Sequence, residues 1–139
     1  MKKIILAAIF ILSGFLSSVA QETQNITIEF DGMKSDKGDL YIALYNSEDS
    51  FLKKPLKGTI AKVVGKKATV VFKDIAIGTY AVSAFHDTND NKKMDTNFFG
   101  IPKEPIGISN DATGFMGPPK YKNAKFKVSK NIKLSIKIN

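Results

Sequence analysis

From residue 25 onward the chain is patterned with a period of two, Ile, Val, Phe and Tyr alternating with polar neighbours. Asn25-Ile26-Thr27-Ile28-Glu29-Phe30 puts Ile26, Ile28 and Phe30 on one face. Asp39 to Tyr45 is apolar on both faces, with Leu40, Ile42 and Leu44 opposed to Tyr41, Ala43 and Tyr45, as a strand buried inside a sheet requires. Thr59 to Val64 and Lys67 to Lys73 read as a hairpin about Gly65-Lys66. Asp74 to Gly78 reads as a turn, and Thr79 to His86 as the next strand. Lys120 to Ser129 and Asn131 to Ile138 complete the set. The last of these points Ile132, Leu134, Ile136 and Ile138 inward and Lys133, Ser135 and Lys137 outward. Asn46 to Gly58 reads as a loop tethered by Phe51 and Leu52.

No helical period of useful length competes with this pattern. About seven short strands separated by turns predict an all-β fold, an immunoglobulin-like antiparallel β-sandwich, with a closed barrel as the alternative. The regularity fails once, from Asp87 to about Pro119, where Gly, Pro, Asn and Asp accumulate over about thirty residues, far beyond an ordinary connection. Phe98, Phe99, Ile101, Ile106, Ile108, Phe115 and Met116 make this stretch too apolar for a solvated coil. It is expected to be one long ordered loop folded over an end of the sandwich, its apolar side chains completing a minor core.

The N-terminus changes the picture next. Met1-Lys2-Lys3, the apolar run Ile4 to Leu16 and the small residues Ser18-Val19-Ala20 predict a signal peptide over residues 1–20, cleaved before Gln21. That implies export, to the periplasm or beyond as a secreted protein. The apolar run is short for a membrane span and no later segment approaches one, so no transmembrane segment is expected after cleavage. Removing 20 of the 139 residues leaves 119, which suits a single domain over residues 21–139. Cys is absent, so packing must hold the fold without disulfides, and thiol chemistry is excluded.

Charge narrows the partners. With Lys2 and Lys3 gone, 19 lysines face 13 acidic residues, a net charge of +6, and the chain holds no Arg. Without Arg the bidentate contacts that read guanine and phosphate are missing, which argues against nucleic acid. Lys125, Lys127, Lys133 and Lys137 alternate with apolar residues and read as solvated outer faces. A weak, salt-sensitive and non-specific attraction to anionic glycans or lipid headgroups stays open, and a protein or glycan partner in the cell envelope is the expectation.

The chemistry-bearing stretch is Asp87-Thr88-Asn89-Asp90-Asn91-Lys92-Lys93-Met94-Asp95. Asp87, Asn89, Asn91 and Asp95 stand at relative positions 1, 3, 5 and 9, the spacing with which a tight loop wraps calcium. Position 12 is Phe98 and not the usual bidentate Glu, so Glu104, Asp111 or backbone carbonyls would have to supply that ligand. With few carboxylates the affinity is expected to be weak, with a Kd on the order of 10⁻⁴ to 10⁻³ M. The same residues can instead cap backbone turns with no ion at all. His86, the single histidine, is expected to hydrogen-bond loop backbone, since no nucleophile-elbow or oxyanion motif accompanies Ser83 or Ser109. A carbohydrate-active enzyme using Asp87, Asp95, Glu104 and Asp111 is the remaining catalytic option.

A family resemblance rests on Gly78-Thr79-Tyr80-Ala81-Val82, Phe85-His86-Asp87, Asn89, Asn91, Asp95, Asn97, Phe99-Gly100-Ile101-Pro102, Glu104 and Gly107-Ile108-Ser109-Asn110. Together these resemble the signature of the bacterial DUF2141 family, small exported proteins of unknown function, over essentially the whole mature chain. The resemblance implies an exported β-sandwich and brings no activity and no site residues. Lys92 stands where a glycine commonly follows the second asparagine in that pattern. The functional expectation is a non-enzymatic exported module that binds calcium through the 87–111 loop and presents a surface to a ligand or partner. The alternatives are a purely structural envelope protein and, last, the carbohydrate-active enzyme.

Overall fold

The computed structural model describes residues 18–139. The signal-peptide reading falls almost wholly on residues 1–17, outside the described residues. Eight strands follow: β1 Thr23–Asp31, β2 Asp39–Tyr45, β3 Lys57–Lys62, β4 Ala68–Ala76, β5 Gly78–Asp87, β6 Ile106–Ile108, β7 Phe126–Val128 and β8 Ile132–Lys137. A 3-10 turn at Ser109–Asp111 and one helical turn, α1, at Tyr121–Ala124 complete the elements. One sheet runs in the order β4-β1-β8. The other runs β3-β2-β5-β6, with β7 pairing with the other half of β5. The fold is an all-β sandwich.

The alternation read from the sequence decides what lies between the sheets. Ile26, Ile28 and Phe30 of β1 meet Leu40, Ile42 and Leu44 of β2, with Val70, Phe72, Val82, Ile136 and Ile138 filling the same core. Burying such apolar surface is the main favourable contribution to stability in a chain without disulfides. β2 is central, as its two apolar faces require, held between β3 and β5. On its outer side a second cluster forms from Tyr45, Phe51, Ala81, Ile108 and Ala124. The tether expected from the 46–58 loop is thus Phe51 alone, because Leu52 is exposed.

Two pairings and two element boundaries depart from expectation. β3 and β4 share only the bridge Val64–Lys67 and then part into different sheets. The Gly65-Lys66 turn is real, with positive φ at both residues. However, Asp36 accepts hydrogen bonds from both of their backbone N–H groups at 2.9 and 2.6 Å, and the turn becomes a corner between sheets. β1 and β8 run parallel, in register from Ile26–Ile132 to Asp31–Lys137, so the sandwich is not wholly antiparallel. Side-chain alternation is the same in either direction, which is why it could not specify strand direction. Asp74 to Gly78 is not a turn throughout, since β4 continues to Ala76 past a left-handed Asp74. Lys120 to Ser129 is not one strand: α1 precedes a three-residue β7, because buried Ala124 joins the outer cluster.

The long excursion itself returns a strand. β6 pairs with β5 from Ser83–Ile108 to Phe85–Ile106, and Ile106 exchanges two backbone hydrogen bonds with Asn139, at 3.0 and 2.9 Å. The two sheets therefore touch at one corner, which fixes both ends of the loop between Asp87 and Pro105.

Candidate functional site

β5 ends in His86 and Asp87, both buried although both are polar. Alternation alone would send one of two consecutive residues to solvent. Both are covered because the chain folds back over the strand end, with Gly38 of the Lys37-Gly38 turn lying against the Asp87 carbonyl. His86 Nε2 donates to the Lys37 carbonyl at 2.7 Å, as expected for a histidine holding loop backbone, while its Nδ1 has no partner. No nucleophile joins it. Ser109 Oγ is fully buried, donates to the Ala124 carbonyl at 2.6 Å and accepts from Val82 N–H at 2.9 Å; Ser83 Oγ lies 3.1 Å from the Tyr45 hydroxyl.

Asp87 is 0% exposed and organises the loop that follows it. Its Oδ2 accepts from Lys92 N–H at 2.8 Å and its Oδ1 from Asn91 N–H at 3.3 Å. A carboxylate at position 1 thereby bends the backbone back on itself at positions 5 and 6. Lys92 takes φ +64°, in the left-handed region. The glycine usual at this place would adopt that conformation at less cost, so the residue departs from the pattern while the backbone keeps it.

The other sequence-derived ligands meet at Asp95. Asn89 Nδ2 donates to Asp95 Oδ2 at 2.7 Å, and Asn91 Nδ2 donates to Oδ1 and Oδ2 at 2.7 and 2.8 Å. These amide donors, Asn89 first, hold the Asp95 carboxyl below the usual carboxylate range. Asp95 N–H in turn donates to Glu104 Oε2 at 3.3 Å, which draws Glu104 into the group. Asp111 stays apart, its Oδ1 accepting from Lys137 N–H at 3.0 Å. Of the two carboxylates weighed for the missing ligand, only Glu104 is at hand.

Glu104 is the anomaly of the molecule. It is 7% exposed, and its Oε1 is buried with no hydrogen-bond partner. Its neighbour is Asp87, a second carboxylate that accepts and cannot donate unless it is protonated. Burial, above all, pushes the Glu104 carboxyl above its ordinary range; the Asp95 N–H works against this, while the hydrogen bond and charge of Asp87 add to the rise. Two buried carboxylates side by side need either a shared proton or a cation between them.

The oxygen inventory suits a hard cation and not zinc or copper, since Asp87, Asn89, Asn91, Asp95 and Glu104 offer only oxygens once the two amides turn over. As they stand, the side chains are not clustered for coordination: among the described residues no three His, Cys, Asp or Glu side chains meet closely enough to hold an ion. Asp95 is turned to the asparagine amides. Closing the site requires Asp95 to swing toward Glu104 and both amides to present Oδ1.

The expected minor core is only partly there. Ile108 is buried in the outer cluster and Ile106 is half-buried, but Phe98, Phe99, Ile101, Phe115 and Met116 are exposed. For Phe98, Phe99 and Ile101 the reason is local. Residues 95–103 pair with each other in a narrow hairpin, Lys103 N–H to the Asp95 carbonyl at 2.8 Å and Asn97 N–H to the Ile101 carbonyl at 2.9 Å. Such a hairpin carries its tip away from the sheets. A hydrophobicity count reads apolar content and not direction, so it could not find this tip.

The fold and the site define a class, a small two-sheet β-sandwich with an oxygen-rich loop built on the end of its fifth strand. Within that class the chain belongs to the family described as uncharacterized protein conserved in bacteria (DUF2141), whose model matches residues 28–136. The match runs from the second half of β1 through nearly all of β8 and takes in the whole loop. Neither the curated proteins nor the solved structures searched give a match.

Proposed function

We propose that this is a non-enzymatic exported module whose 87–111 loop binds calcium and presents a surface to a ligand or partner in the cell envelope. Asp87, Asn89, Asn91 and Asp95 are the sequence-derived ligands, and Glu104 supplies the carboxylate that position 12 lacks. The observation that carries this reading is Glu104 Oε1, a buried carboxylate oxygen without a donor beside a second buried carboxylate. A divalent ion held between them satisfies both at once without the proton that Glu104 would otherwise have to share with Asp87. Export rests on the leader pattern at residues 1–20.

The rival reading, a structural envelope protein whose loop is only a lid, has the Asn89 and Asn91 amides on Asp95 in its favour. Thermal unfolding separates the two. Calcium at about a hundred times a Kd on the order of 10⁻⁴ M stabilises the folded chain by about 2.7 kcal/mol through mass action. For a domain of this size that raises Tm by roughly 10 °C. Magnesium gives a smaller rise, because it demands a tighter octahedral site. An unchanged Tm at millimolar calcium would remove the ion from the account and leave the lid.

A further inference from the structure

The hairpin over residues 95–103 stands on the acidic site and ends in a tip that is satisfied from within. Gly100 N–H donates to the Asn97 carbonyl at 3.0 Å, and Asn97 Oδ1 accepts from Phe99 N–H and Ile101 N–H at 2.9 and 3.0 Å. With its turn closed by its own groups, the tip needs nothing from outside to keep its shape. Its side chains are nevertheless held in water: Phe98 is 97% exposed, Phe99 82% and Ile101 58%. The two phenyl rings stack edge to face at 5.5 Å, with no other ring against them. Residues 96–103 contain no acidic side chain.

Lysines and carboxylates share the base, Lys92, Lys93 and Lys103 standing beside Asp87, Asp90, Asp95 and Glu104, so its charge turns positive once a divalent ion is held there. Lys93 and Lys103 are exposed, lie near enough to act on Asp95, and take part in no ion pair among the described residues. The rings sit about three residues beyond the base, roughly 10 Å at strand spacing. That separation matches apolar groups entering a bilayer to the acyl boundary, roughly 5–10 Å deep, while lysines remain among the headgroups. The tip is convex and one hairpin wide. A protein partner would have to supply a pocket with an acidic rim, whereas an anionic bilayer offers both features at every point of its surface.

We propose that this hairpin docks the protein on anionic phospholipid, Phe98, Phe99 and Ile101 entering the interface and Lys93 and Lys103 meeting the headgroups. The proposal rests on reading the loop as a presented surface with the ion in place, which gives the base its net positive charge. The mature protein, in low-salt buffer containing calcium, is sedimented with phosphatidylglycerol-containing vesicles and with pure phosphatidylcholine vesicles. Retention on the anionic vesicles is expected, with little on the neutral ones. The Phe98→Ala/Phe99→Ala variant should lose roughly tenfold or more in partitioning while keeping the Tm of the parent. The Lys93→Gln/Lys103→Gln variant should lose the preference for anionic lipid. Parent protein remaining in the supernatant with both vesicle types, as a tip made for a protein pocket would, overturns the proposal. So does a double phenylalanine variant that is retained as well as the parent. The calcium shift in Tm is read on the same samples, so a failure of the ion to bind is told apart from a failure to dock.

Discussion

Gly38→Ala is expected to destabilise the domain by about 3 kcal/mol or more and to abolish any rise in Tm with calcium. Two costs combine at this position. Gly38 has φ +78°, where an L side chain pays about 1–2 kcal/mol. A Cβ there would also lie 1.8 Å from the Asp87 carbonyl oxygen, a backbone atom that no rotamer change can move aside. Either the Lys37-Gly38 turn retreats or the end of β5 does, and both routes displace Asp87. Gly65→Ala provides the comparison. Its φ is +61° but no atom lies within 4 Å of the added carbon, so only the conformational cost of about 1–2 kcal/mol applies. Denaturant unfolding measures both variants. Equal losses would mean that the contact between Gly38 and Asp87 carries no weight in placing the site.

The second expectation is a reversal of order at Glu104. Folding raises the pKa of this carboxyl from its ordinary 4.5, chiefly through burial. A raised folded pKa means that the native state holds its proton longer than the unfolded chain does. Without an ion, stability from this group therefore falls as pH rises from about 4.5 through the raised value. Glu104→Gln removes that loss and adds an amide donor facing Asp87. In chelator at neutral pH the variant should melt above the parent, by about 1 kcal/mol. In calcium the order inverts, because the parent gains about 2.7 kcal/mol at a hundred times Kd while the variant lacks the carboxylate that closes the site. Melting curves in chelator and in calcium test this directly. Parent and variant keeping the same order in both buffers would leave Glu104 a buried acid with no role in binding.

What the sequence revealed and what it hid divide along a physical line. Alternation placed Ile26, Ile28 and Phe30 in the core, marked β2 as central and located the start of the long excursion, because side-chain burial leaves a period-two trace; it missed the return of β6 at Ile106–Ile108. It could not show that β3 and β4 separate at the Val64–Lys67 corner or that β8 runs parallel to β1, since pairing partner and direction leave no such trace. At the site, Asp87, Asn89, Asn91 and Asp95 are close in the chain, so their spacing alone brought them together. Glu104 could be named only as one of two carboxylate choices. Its position depends on the 95–103 hairpin, which returns the chain so that Asp95 N–H meets Glu104 Oε2. Gly38 contacts Asp87 across 49 residues, and nothing in its own turn announces that.

A crystal of residues 21–139 grown with calcium bears most directly on the central claim. The account predicts an ion between Asp87 and Glu104 with six or seven oxygens at roughly 2.3–2.6 Å, Glu104 Oε1 among them, and Asp95 released from the amide nitrogens. Asn89 and Asn91 still donating to Asp95, with no ion beside Glu104, would contradict it.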